Sequence, residues 1–329
     1  MYWSVEIVDL NIIIMILSAL LMSFLLAPFY LKWLKNKQFG QFIREDGPKA
    51  HLKKSGTPTM GALIFLLPVV ILSCFFVDYT KIQNLALLIL ILIFGFIGGV
   101  DDFAKITKKQ NEGLTSKQKI VLQFSGAAIF YLILQVGNVD TNVYVPIVNQ
   151  TIDLGSILYT IFVMFLIVGA SNATNLTDGL DGLLAGNAIV SFSAFAFIAH
   201  LQGNQTVFAF AILFIVTLLV FLMFNFNPAK VFMGDTGSLA LGAVMAGMAI
   251  ILKVEVLLLF IGMIYVIETL SVIMQVTSFK LTGKRIFKMS PIHHHFELVG
   301  LSEKQVFSLF VITQVLFSIV SVILIMKMM

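Results

Sequence analysis

The chain has 329 residues, of which 59% are hydrophobic and 12% are charged, and its mean hydropathy is +1.00. A soluble globular domain is about half apolar and about a quarter charged, so this composition excludes a soluble enzyme or binding domain and predicts a polytopic membrane protein. The formal net charge is +4, and the single Cys74 excludes an intrachain disulfide.

Ten apolar runs follow one another along the chain. They fall at 10–31, 60–77, 84–100, 120–136, 154–170, 183–200, 206–224, 237–252, 256–278 and 305–326. A helix that spans the hydrocarbon core needs about 20 residues, so we predict an all-α polytopic integral membrane protein with about ten transmembrane helices. Because no internal repeat or low-complexity segment divides the runs, we predict a single transmembrane catalytic domain over residues 1–329.

Basic residues are concentrated in alternate loops. Of the 21 lysines and arginines, 18 lie in the loops 32–59, 101–119, 171–182, 225–236 and 279–304. The positive-inside rule then places these five loops in the cytoplasm and both termini outside. The outer segment 137–153 alternates Val, Tyr and Ile with turn residues, which is typical of a small extracytoplasmic β-hairpin.

The first two inner loops carry a helix-start signal and a pair of acids. Thr57 and Pro58 are predicted to begin a helix, as its cap and its first residue. Asp101 and Asp102 fall at the inner end of a helix, where the helix dipole is negative, so a cation must neutralise them. Nearby lysines can do so, and the functional alternative is a divalent metal or a metal-bound diphosphate. Because adjacent helical residues point about 100° apart, we expect one aspartate to bind the cation and the other to act differently.

The third and fourth inner loops are rich in hydrogen-bonding groups. The third, SNATNLTDGLDGLLAG, has no basic residue, and the i, i+3 spacing of Asn175, Asp178 and Asp181 predicts one shared helical face. The fourth ends in GDTGS, so Asp235 lies at the start of the next helix. A helix N-terminus with glycines binds anions, and an aspartate there can hold a magnesium ion that bridges phosphates. The structural alternative is that Asp235 is only an N-cap.

The fifth inner loop holds His293, His294 and His295 in SPIHHHFELVG. In an extended run His293 and His295 would share one side and His294 would oppose them, so three consecutive histidines do not build a zinc site from one face. Phosphate binding or proton handling suits histidines beside basic residues better. Glu268 is the main acid inside a predicted span, and the sequence assigns it no role.

The five loops together predict a phosphate-handling site on one membrane face. Carboxylates predict a hard cation, and Mg²⁺ suits oxygen ligands and phosphates. The chain has no P-loop and no dinucleotide-binding fingerprint. A membrane enzyme that joins a nucleotide-linked phosphate to a lipid phosphate needs this equipment, because its barrier is mainly one of positioning and charge neutralisation.

The chain resembles the bacterial polyprenyl-phosphate N-acetylhexosamine-1-phosphate transferases over nearly its whole length. The stretches that carry the resemblance are REDGPKAHLKKSGTPTMG, GGVDDFAK, SNATNLTDGLDGLLAG, NFNPAKVFMGDTGS and SPIHHHFELVG. The aspartate motifs are shared widely in this superfamily. The histidines followed by Phe296 and Glu297 are more specific and resemble the branch that acts in peptidoglycan synthesis.

The resemblance implies ten membrane helices, a magnesium-dependent cytoplasmic site and a location in the bacterial plasma membrane. It implies transfer of phospho-MurNAc-pentapeptide from UDP-MurNAc-pentapeptide to undecaprenyl phosphate, with release of UMP and formation of lipid I. Members of the family are typically homodimers, and no nucleic-acid partner is implied.

The resemblance also implies roles for individual residues. Asp235 is expected to bind Mg²⁺ at the reaction centre, and Asp101 and Asp102 to lie by the lipid phosphate, one of them as a further metal ligand or as a base. The residues expected to line the uridine pocket are Lys54, Asn175, Asp178, Gly179, Leu180 and Asp181. The other expected substrate contacts are Thr59, Asn172, Asn225 at the diphosphate, Phe232 on uracil, and Lys117 or Lys119 at a phosphate. The expected catalytic residues beside the sugar-phosphate are His293, His294 and His295.

Three other functions remain open. A sister enzyme that loads GlcNAc-1-phosphate onto the same lipid shares the aspartate motifs, and SPIHHHFELVG argues against it. A proton-coupled transporter would place ionisable groups within the membrane, whereas nearly all of them lie at helix ends here. A lipid-binding scaffold would explain the lysines but not the acids. For the transferase, we predict direct attack by the lipid phosphate rather than a phospho-aspartate intermediate.

Overall fold

The computed structural model describes residues 10–37, 39, 54, 56–108, 110, 112–146 and 148–327. Most of the first inner loop lies outside the described residues. The basic Lys53 and much of the REDGPKAHLKKSGTPTMG stretch belong to that part, whereas Lys54 and Thr59 are described.

Helices make up most of the described chain. The elements are α1 (Leu10–Asn36), α2 (Leu63–Phe76), α3 (Ile82–Lys108), α4 (Ser116–Gln135), β1 (Asn142–Val145), β2 (Gln150–Asp153), α5 (Gly155–Thr177), α6 (Leu183–Leu201), α7 (Gln205–Asn225), α8 (Asp235–Ile251), α9 (Leu258–Ile261), α10 (Met263–Thr282), α11 (Ile292–Val299) and α12 (Glu303–Met326).

Nine of the ten predicted apolar runs each coincide with one helix, and the run 256–278 is divided into α9 and α10 at Gly262. In the described part, seven helices are long and apolar enough to cross a membrane, namely α1, α3, α5, α6, α7, α10 and α12. Helices α2 and α8 are shorter, with 14 and 17 residues, and α4 carries Lys117 and Lys119 at its start. The predicted all-α membrane fold is therefore confirmed, while the count of ten spans stays a prediction.

Helix α8 lies inside the bundle, between α3 and α5. All its residues from Thr236 to Ile250 are buried. A Cβ on Gly98 of α3 would lie 2.1 Å from the Asp235 carbonyl oxygen, and one on Gly242 would lie 2.2 Å from the Ala170 carbonyl oxygen. Only glycine therefore allows the three backbones to approach this closely. A helix of this length measures about 26 Å, slightly less than the hydrocarbon core of about 30 Å, and protein surrounds it on several sides.

Hydroxyl groups of α5 also hold α8. The Ser171 hydroxyl donates to the Leu239 carbonyl at 3.0 Å, and the Thr174 hydroxyl donates to the Ser238 carbonyl at 2.7 Å. Small and hydroxyl-bearing residues are typical of close helix pairs in membranes. These contacts fix the depth and rotation of α8 against the helices that carry the predicted site residues.

The predicted β-hairpin is confirmed at the opposite end of the bundle. Strands β1 and β2 are antiparallel, with Asn142 opposite Asp153. At the same end, Lys253 donates to the Asp140 carbonyl at 2.8 Å and to the Tyr159 hydroxyl at 2.9 Å. Polar contacts thus hold this end together without any of the predicted site residues.

The predicted helix start at Thr57 and Pro58 is wrong, because α2 begins at Leu63. The Pro58 carbonyl instead accepts a hydrogen bond from the Phe232 N–H at 2.8 Å, and the Gly61 N–H donates to the Phe232 carbonyl at 2.9 Å. The segment before α2 therefore runs beside the segment before α8. Pairing between distant segments outweighed the local start signal, and it joins the first and fourth inner loops.

Candidate active site

Three aspartates from two helices meet at one end of the bundle. Asp101 and Asp102 lie in the last turns of α3, and Asp235 is the first residue of α8. One carboxylate oxygen of each lies within 4.8 Å of the others. Asp101 and Asp102 are buried and Asp235 is half-buried. The structure thus brings together acids that the sequence places in different loops.

Both oxygens of Asp102 hold the N-terminus of α8. Oδ1 accepts from the Asp235 N–H at 3.0 Å, and Oδ2 accepts from the Thr236 N–H at 2.9 Å and the Thr236 hydroxyl at 2.7 Å. The first N–H groups of a helix lack partners within it, and negative charge is favoured there. The N-cap residue is Gly234, with φ of +79° and no side-chain bond. The alternative that Asp235 is the N-cap is therefore wrong, because α3 supplies the cap.

The other two aspartates share two lysines. Oδ2 of Asp101 lies 2.7 Å from Lys105 Nζ and 3.4 Å from Lys119 Nζ. Oδ2 of Asp235 lies 3.1 Å from Lys105 Nζ and also contacts Lys119 Nζ. Oδ1 of Asp101 accepts a backbone N–H from the loop before α4 at 2.9 Å. Each carboxylate therefore has one oxygen held by a neutral donor and one facing the ammonium groups.

Only one of the two candidate phosphate-facing lysines lies at the acids. Lys119 contacts Asp101 and Asp235 from the first turns of α4. Lys117 is exposed and makes no salt bridge with a described residue. The structure therefore favours Lys119 over Lys117 as the phosphate-facing lysine, a choice that sequence spacing did not allow.

The polar residues of the third loop do not share one helical face. Helix α5 ends just before Asp178, which is its C-cap, so Asp181 lies in the following turn. Asn175 remains helical and donates to Asp235 Oδ1 at 3.0 Å and to Ser238 Oγ at 2.8 Å. The i, i+3 prediction is wrong because the helix stops, and only Asn175 of the three hydrogen-bonds to Asp235.

Two predicted substrate-binding amides have partners within the protein. The Asn172 Nδ2 donates to Gln123 Oε1 at 2.7 Å and thereby joins α5 to α4. Asn225 Oδ1 accepts from the Gly182 N–H at 3.1 Å, and its Nδ2 donates to the Val231 carbonyl at 2.9 Å. Asn172 therefore lies at a helix contact, and Asn225 connects the third and fourth inner loops.

Asp178 and Thr59 flank Gly234. Burial, together with the negative charges of Asp235 and Asp102, raises the pKa of Asp178 to about 8, and the neighbouring Gly234 N–H opposes this rise. A Cβ on Gly234 would lie 3.0 Å from the Thr59 hydroxyl and 2.5 Å from Asp102 Oδ2. A carboxyl group with this pKa is mostly protonated at pH 7, so Asp178 can donate a hydrogen bond to a ligand.

A second charged cluster joins the first, third, fourth and fifth inner loops. Lys54 Nζ lies 2.7 Å from Asp181 Oδ1 and 2.7 Å from Glu303 Oε2. The Asn227 amide donates to Asp181 Oδ2 at 3.1 Å and to Glu303 Oε2 at 2.9 Å. Sequence reasoning found Lys54 and Asp181 but missed Glu303 and Asn227. The sequence contains only weak signals for these two residues. Asn227 lies within the NFNPAKVFMGDTGS motif, and Glu303 is simply the first residue of a helix.

The two predicted apolar contacts differ in exposure. Leu180 is buried in a small cluster with Leu183 and Ile264. Phe232 is half-buried, its backbone pairs with Pro58, and its ring makes no aromatic contact with a described residue. Phe232 is thus the one of the two whose side chain is partly accessible.

The three histidines lie on a helix, so the expectation for an extended run is wrong. Consecutive side chains on α11 point about 100° apart, and His293 and His295 do not share a side. His294 Nδ1 lies 2.9 Å from Glu297 Oε2, and His295 Nδ1 accepts from the Lys288 N–H at 3.2 Å. Among the described residues, the group with metal-ligand spacing contains aspartates only.

Glu268 holds His293, a role that sequence reasoning missed. Glu268 Oε1 lies 2.9 Å from His293 Nδ1, and both residues are 0% exposed. A Cβ on Gly179 would lie 2.2 Å from His293 Nε2, so the imidazole ring fills the space beside that glycine. His293 Nε2 and Glu268 Oε2 hydrogen-bond to no described residue. The sequence did contain one signal for this role, since Glu268 is an acid within a predicted membrane span, and such an acid usually marks a functional position.

Comparison with known proteins gives the same family as the motifs. A family model described as glycosyl transferase family 4 matches residues 84–253. The chain is 52% identical over 297 residues to a phospho-N-acetylmuramoyl-pentapeptide-transferase of Staphylococcus saprophyticus, with 89% of this chain and 92% of that protein covered. Proteins of the same name from Staphylococcus aureus and Staphylococcus carnosus are 51% and 49% identical over 299 and 304 residues, covering 89% and 91% of this chain and 93% and 94% of theirs.

Identity of about one half extends over about nine tenths of each chain, and the matched stretches include both helices that carry the aspartates. The resemblance inferred from the motifs is thereby confirmed. The chain belongs to the phospho-N-acetylmuramoyl-pentapeptide-transferase family.

Proposed function

We propose that the protein transfers phospho-MurNAc-pentapeptide from UDP-MurNAc-pentapeptide to undecaprenyl phosphate, which releases UMP and forms lipid I. This reaction is the first membrane step of peptidoglycan synthesis. The observation that carries the proposal is the cluster of Asp101, Asp102, Asp235, Lys105 and Lys119 at one end of a membrane bundle. The relatives named for this transfer support the choice of substrates.

The reaction exchanges one phosphorus–oxygen bond for another. An oxygen of the lipid phosphate attacks the phosphorus that carries the sugar, and the bond from that phosphorus to the bridging oxygen breaks. UMP leaves with the bridging oxygen, and the sugar becomes linked to the lipid through a diphosphate. Lys105 and Lys119 are placed to neutralise phosphate charge, and the N-terminus of α8 adds positive potential.

This reaction does not depend strongly on a general base. A phosphate monoester has a second pKa of about 6, so the lipid phosphate is mostly dianionic at pH 7. Both oxygens of Asp102 and both oxygens of Asp101 already have partners, so neither aspartate is assigned as the base. The main demands on the site are alignment and charge neutralisation.

The donor set of the acidic cluster fits Mg²⁺, which prefers carboxylate and phosphate oxygens. Asp101 and Asp235 would hold the ion, because their Oδ2 oxygens face the same two ammonium groups. Asp102 would position Asp235 through the start of α8. A bound magnesium ion supplies neutralisation of the phosphate charge.

The nucleotide end of the donor is assigned to the third and fourth loops. Phe232 presents a half-buried ring on which uracil can stack. Asp178, mostly protonated at neutral pH, can donate to a carbonyl oxygen of the base. The Lys54–Asp181 pair forms the wall that holds these loops in place. His293, which Glu268 orients, is assigned to the sugar-phosphate side.

The protein is an integral membrane protein. We place it in the bacterial plasma membrane with the acidic cluster at the cytoplasmic face and both termini outside, because basic residues concentrate in the loops at that end. A homodimer is proposed on the family resemblance, and light scattering of the purified protein in detergent tests it.

UMP release by the purified protein tests the proposed reaction. With UDP-MurNAc-pentapeptide and undecaprenyl phosphate, we expect release to require both the lipid and Mg²⁺. Asp235→Asn should lower kcat by about 100-fold or more, which is typical for the loss of a preorganised charged group. The matched control is Asp140→Asn at an exposed aspartate of the opposite end, which should keep the activity.

Two results would contradict the proposal. UMP release from UDP-GlcNAc but not from UDP-MurNAc-pentapeptide would show that the protein transfers GlcNAc-1-phosphate. UMP release from neither donor by a folded protein would favour the proton-coupled transporter. A sugar-phosphate trapped covalently on an aspartate without lipid acceptor would contradict direct attack.

A further inference from the structure

Met60, in the segment before α2, has a left-handed backbone conformation close to the acidic cluster. Its φ is +64°. An L-amino acid with a side chain rarely adopts this region, because its Cβ crowds the neighbouring carbonyl oxygen. Strained residues of this kind persist only where surrounding contacts hold them, and they are concentrated at functional sites. The contacts that hold Met60 therefore point to residues on which the site depends.

Backbone hydrogen bonds hold the residues on both sides of Met60. The Thr59 N–H donates to the Phe39 carbonyl at 2.9 Å, and the Gly61 N–H donates to the Phe232 carbonyl at 2.9 Å. A Cβ on Gly61 would lie 2.7 Å from the same Phe232 carbonyl oxygen, so the two chains approach closely here. Met60 thus turns the chain between two neighbours that are themselves fixed.

Tyr30 of α1 holds Met60 directly. The Tyr30 hydroxyl donates to the Met60 carbonyl at 3.0 Å. This carbonyl and the Gly61 N–H belong to one peptide unit, which is therefore held at one edge by Tyr30 and at the other by Phe232. If Met60 left the left-handed region, this peptide unit would turn and both hydrogen bonds would be lost.

The strained segment borders the first residue of α8. The Ala62 N–H donates to the Met233 carbonyl at 3.2 Å, so the backbone pairing continues to within two residues of Asp235. The Thr59 hydroxyl lies next to Gly234, where a Cβ would approach it to 3.0 Å. A change in the backbone at residues 58–62 would therefore move the residues that lead into the acidic cluster.

We propose that Tyr30 is a positioning residue for the transfer reaction and that it acts by holding Met60 in the left-handed conformation. Through the paired backbone, this conformation fixes Phe232 and Asp235. The proposal rests on the proposed function, in which Phe232 contacts uracil and Asp235 holds the metal ion. Tyr30 acts on both through the backbone to which its hydroxyl is bonded.

Removal of one hydroxyl tests the proposal. Tyr30→Phe should lower kcat/KM for UDP-MurNAc-pentapeptide about fivefold or more, because small misplacements of groups at the reaction centre cost large factors in rate. The matched control is Tyr79→Phe at the opposite end of the bundle, where a half-buried tyrosine donates to the Ser73 hydroxyl at 2.7 Å. This control should keep kcat/KM. Both variants lose one hydrogen bond, so the unfolding temperature alone would not distinguish them.

Two substitutions at Met60 separate the backbone strain from the contacts of its side chain. Met60→Gly removes the strain, because glycine adopts positive φ freely, whereas Met60→Ala removes the side chain and keeps the strain. Adding Tyr30→Phe should lower kcat/KM by less than about twofold in the glycine background, which is near the limit for independent sites. In the alanine background it should cause the full loss.

The outcomes separate the positioning role from the reaction. No lipid-dependent UMP release by the unchanged protein would overturn the reaction and the role of Tyr30 together. Normal release with an unchanged kcat/KM in Tyr30→Phe would overturn the positioning role alone. Equal losses from Tyr30→Phe in the glycine and alanine backgrounds would do the same, because Tyr30 would then not act by holding the strained conformation of Met60.

Discussion

At the scale of single residues, Asp101 and Asp102 are neighbours with different partners. Their side chains diverge by about 100° on α3, and the sequence therefore predicts a division of roles. It does not predict which residue does what, because Asp102 meets Thr236, 134 positions away. The Lys54–Asp181 pair is 127 positions apart. Packing of distant helices sets such pairs, and no local spacing signals them.

The Glu268–His293 contact leads to a prediction about activity. Glu268→Ala removes the partner that positions His293, and misplacement of a group by about 1 Å can cost about 100-fold in rate, so kcat/KM should fall roughly tenfold or more. Glu268→Gln should keep most of the activity, because its amide oxygen can still accept from His293 Nδ1. UMP release with both substrates measures the effect.

A matched variant separates positioning of His293 from general stability. Glu255 is also buried and accepts a hydrogen bond from the Tyr159 hydroxyl at 2.7 Å, but it lies at the opposite end of the bundle. Glu255→Ala should lower the unfolding temperature as Glu268→Ala does, yet retain kcat/KM. Equal losses of activity in the two alanine variants would show that His293 needs no such partner for the reaction. No rescue by Glu268→Gln would show that a neutral hydrogen-bond acceptor does not replace Glu268.

At the scale of elements, α8 shows what local signals can predict. Its start within the GDTGS stretch is predicted to within a residue or two, because glycine and polar residues lead into an apolar run. The same reasoning fails for Thr57 and Pro58, where a strong start signal is overridden by backbone pairing with Phe232. Local sequence signals predict a helix start correctly where tertiary contacts favour the same start. In segments beside the acidic cluster, tertiary contacts can override these signals.

The close contact of α3 with α8 leads to a prediction about stability. The Cβ of Gly98→Ala would lie 2.1 to 2.5 Å from backbone atoms of Asp235 and Thr236, which cannot rotate away as a side chain can. Overpacking of this kind costs about 1–3 kcal/mol, and it displaces Asp235. We expect a lower unfolding temperature in detergent and a loss of UMP release.

The neighbouring position supplies the control. Gly99→Ala adds the same methyl group to the same helix, 3.7 Å from the nearest atom, and alanine is a better helix former than glycine by about 1 kcal/mol. Its unfolding temperature should equal or exceed that of the unchanged protein. If both alanine variants were equally stable, close packing at Gly98 would not hold α8 in place.

At the scale of the whole molecule, the five predicted inner loops meet at one end. The acidic cluster and the Lys54 network contain residues from all five, and the hairpin and Lys253 lie at the other end. Apolar periodicity and charge are sufficient to predict a helical membrane protein with this division. They do not predict that α2 and α8 are short or that α11 is helical, because burial by neighbouring helices permits both.

The charge asymmetry leads to a prediction about orientation. In a Cys74→Ser background, a cysteine at Thr151 of the hairpin should react with a membrane-impermeant maleimide added to intact spheroplasts. A cysteine at Lys108, at the end of α3 that carries the acidic cluster, should react only after permeabilisation. Both positions are exposed, so access to the reagent alone decides the result. The reverse pattern would place the acidic cluster outside.

The hydrogen bonds of Asp102 also bear on how the molecule is assembled during synthesis. Asp101 can pair with Lys105 of the same helix as soon as α3 enters the membrane. Asp102 has no such local partner, and its donors are the first residues of α8, which the ribosome produces 133 residues later. Until α8 is made, the Asp102 carboxylate lies at the end of α3 without its hydrogen-bond donors. Insertion of α8 therefore completes the contacts of a helix made much earlier. A chain that stops before α8 lacks both the acidic cluster and the donors that hold Asp102.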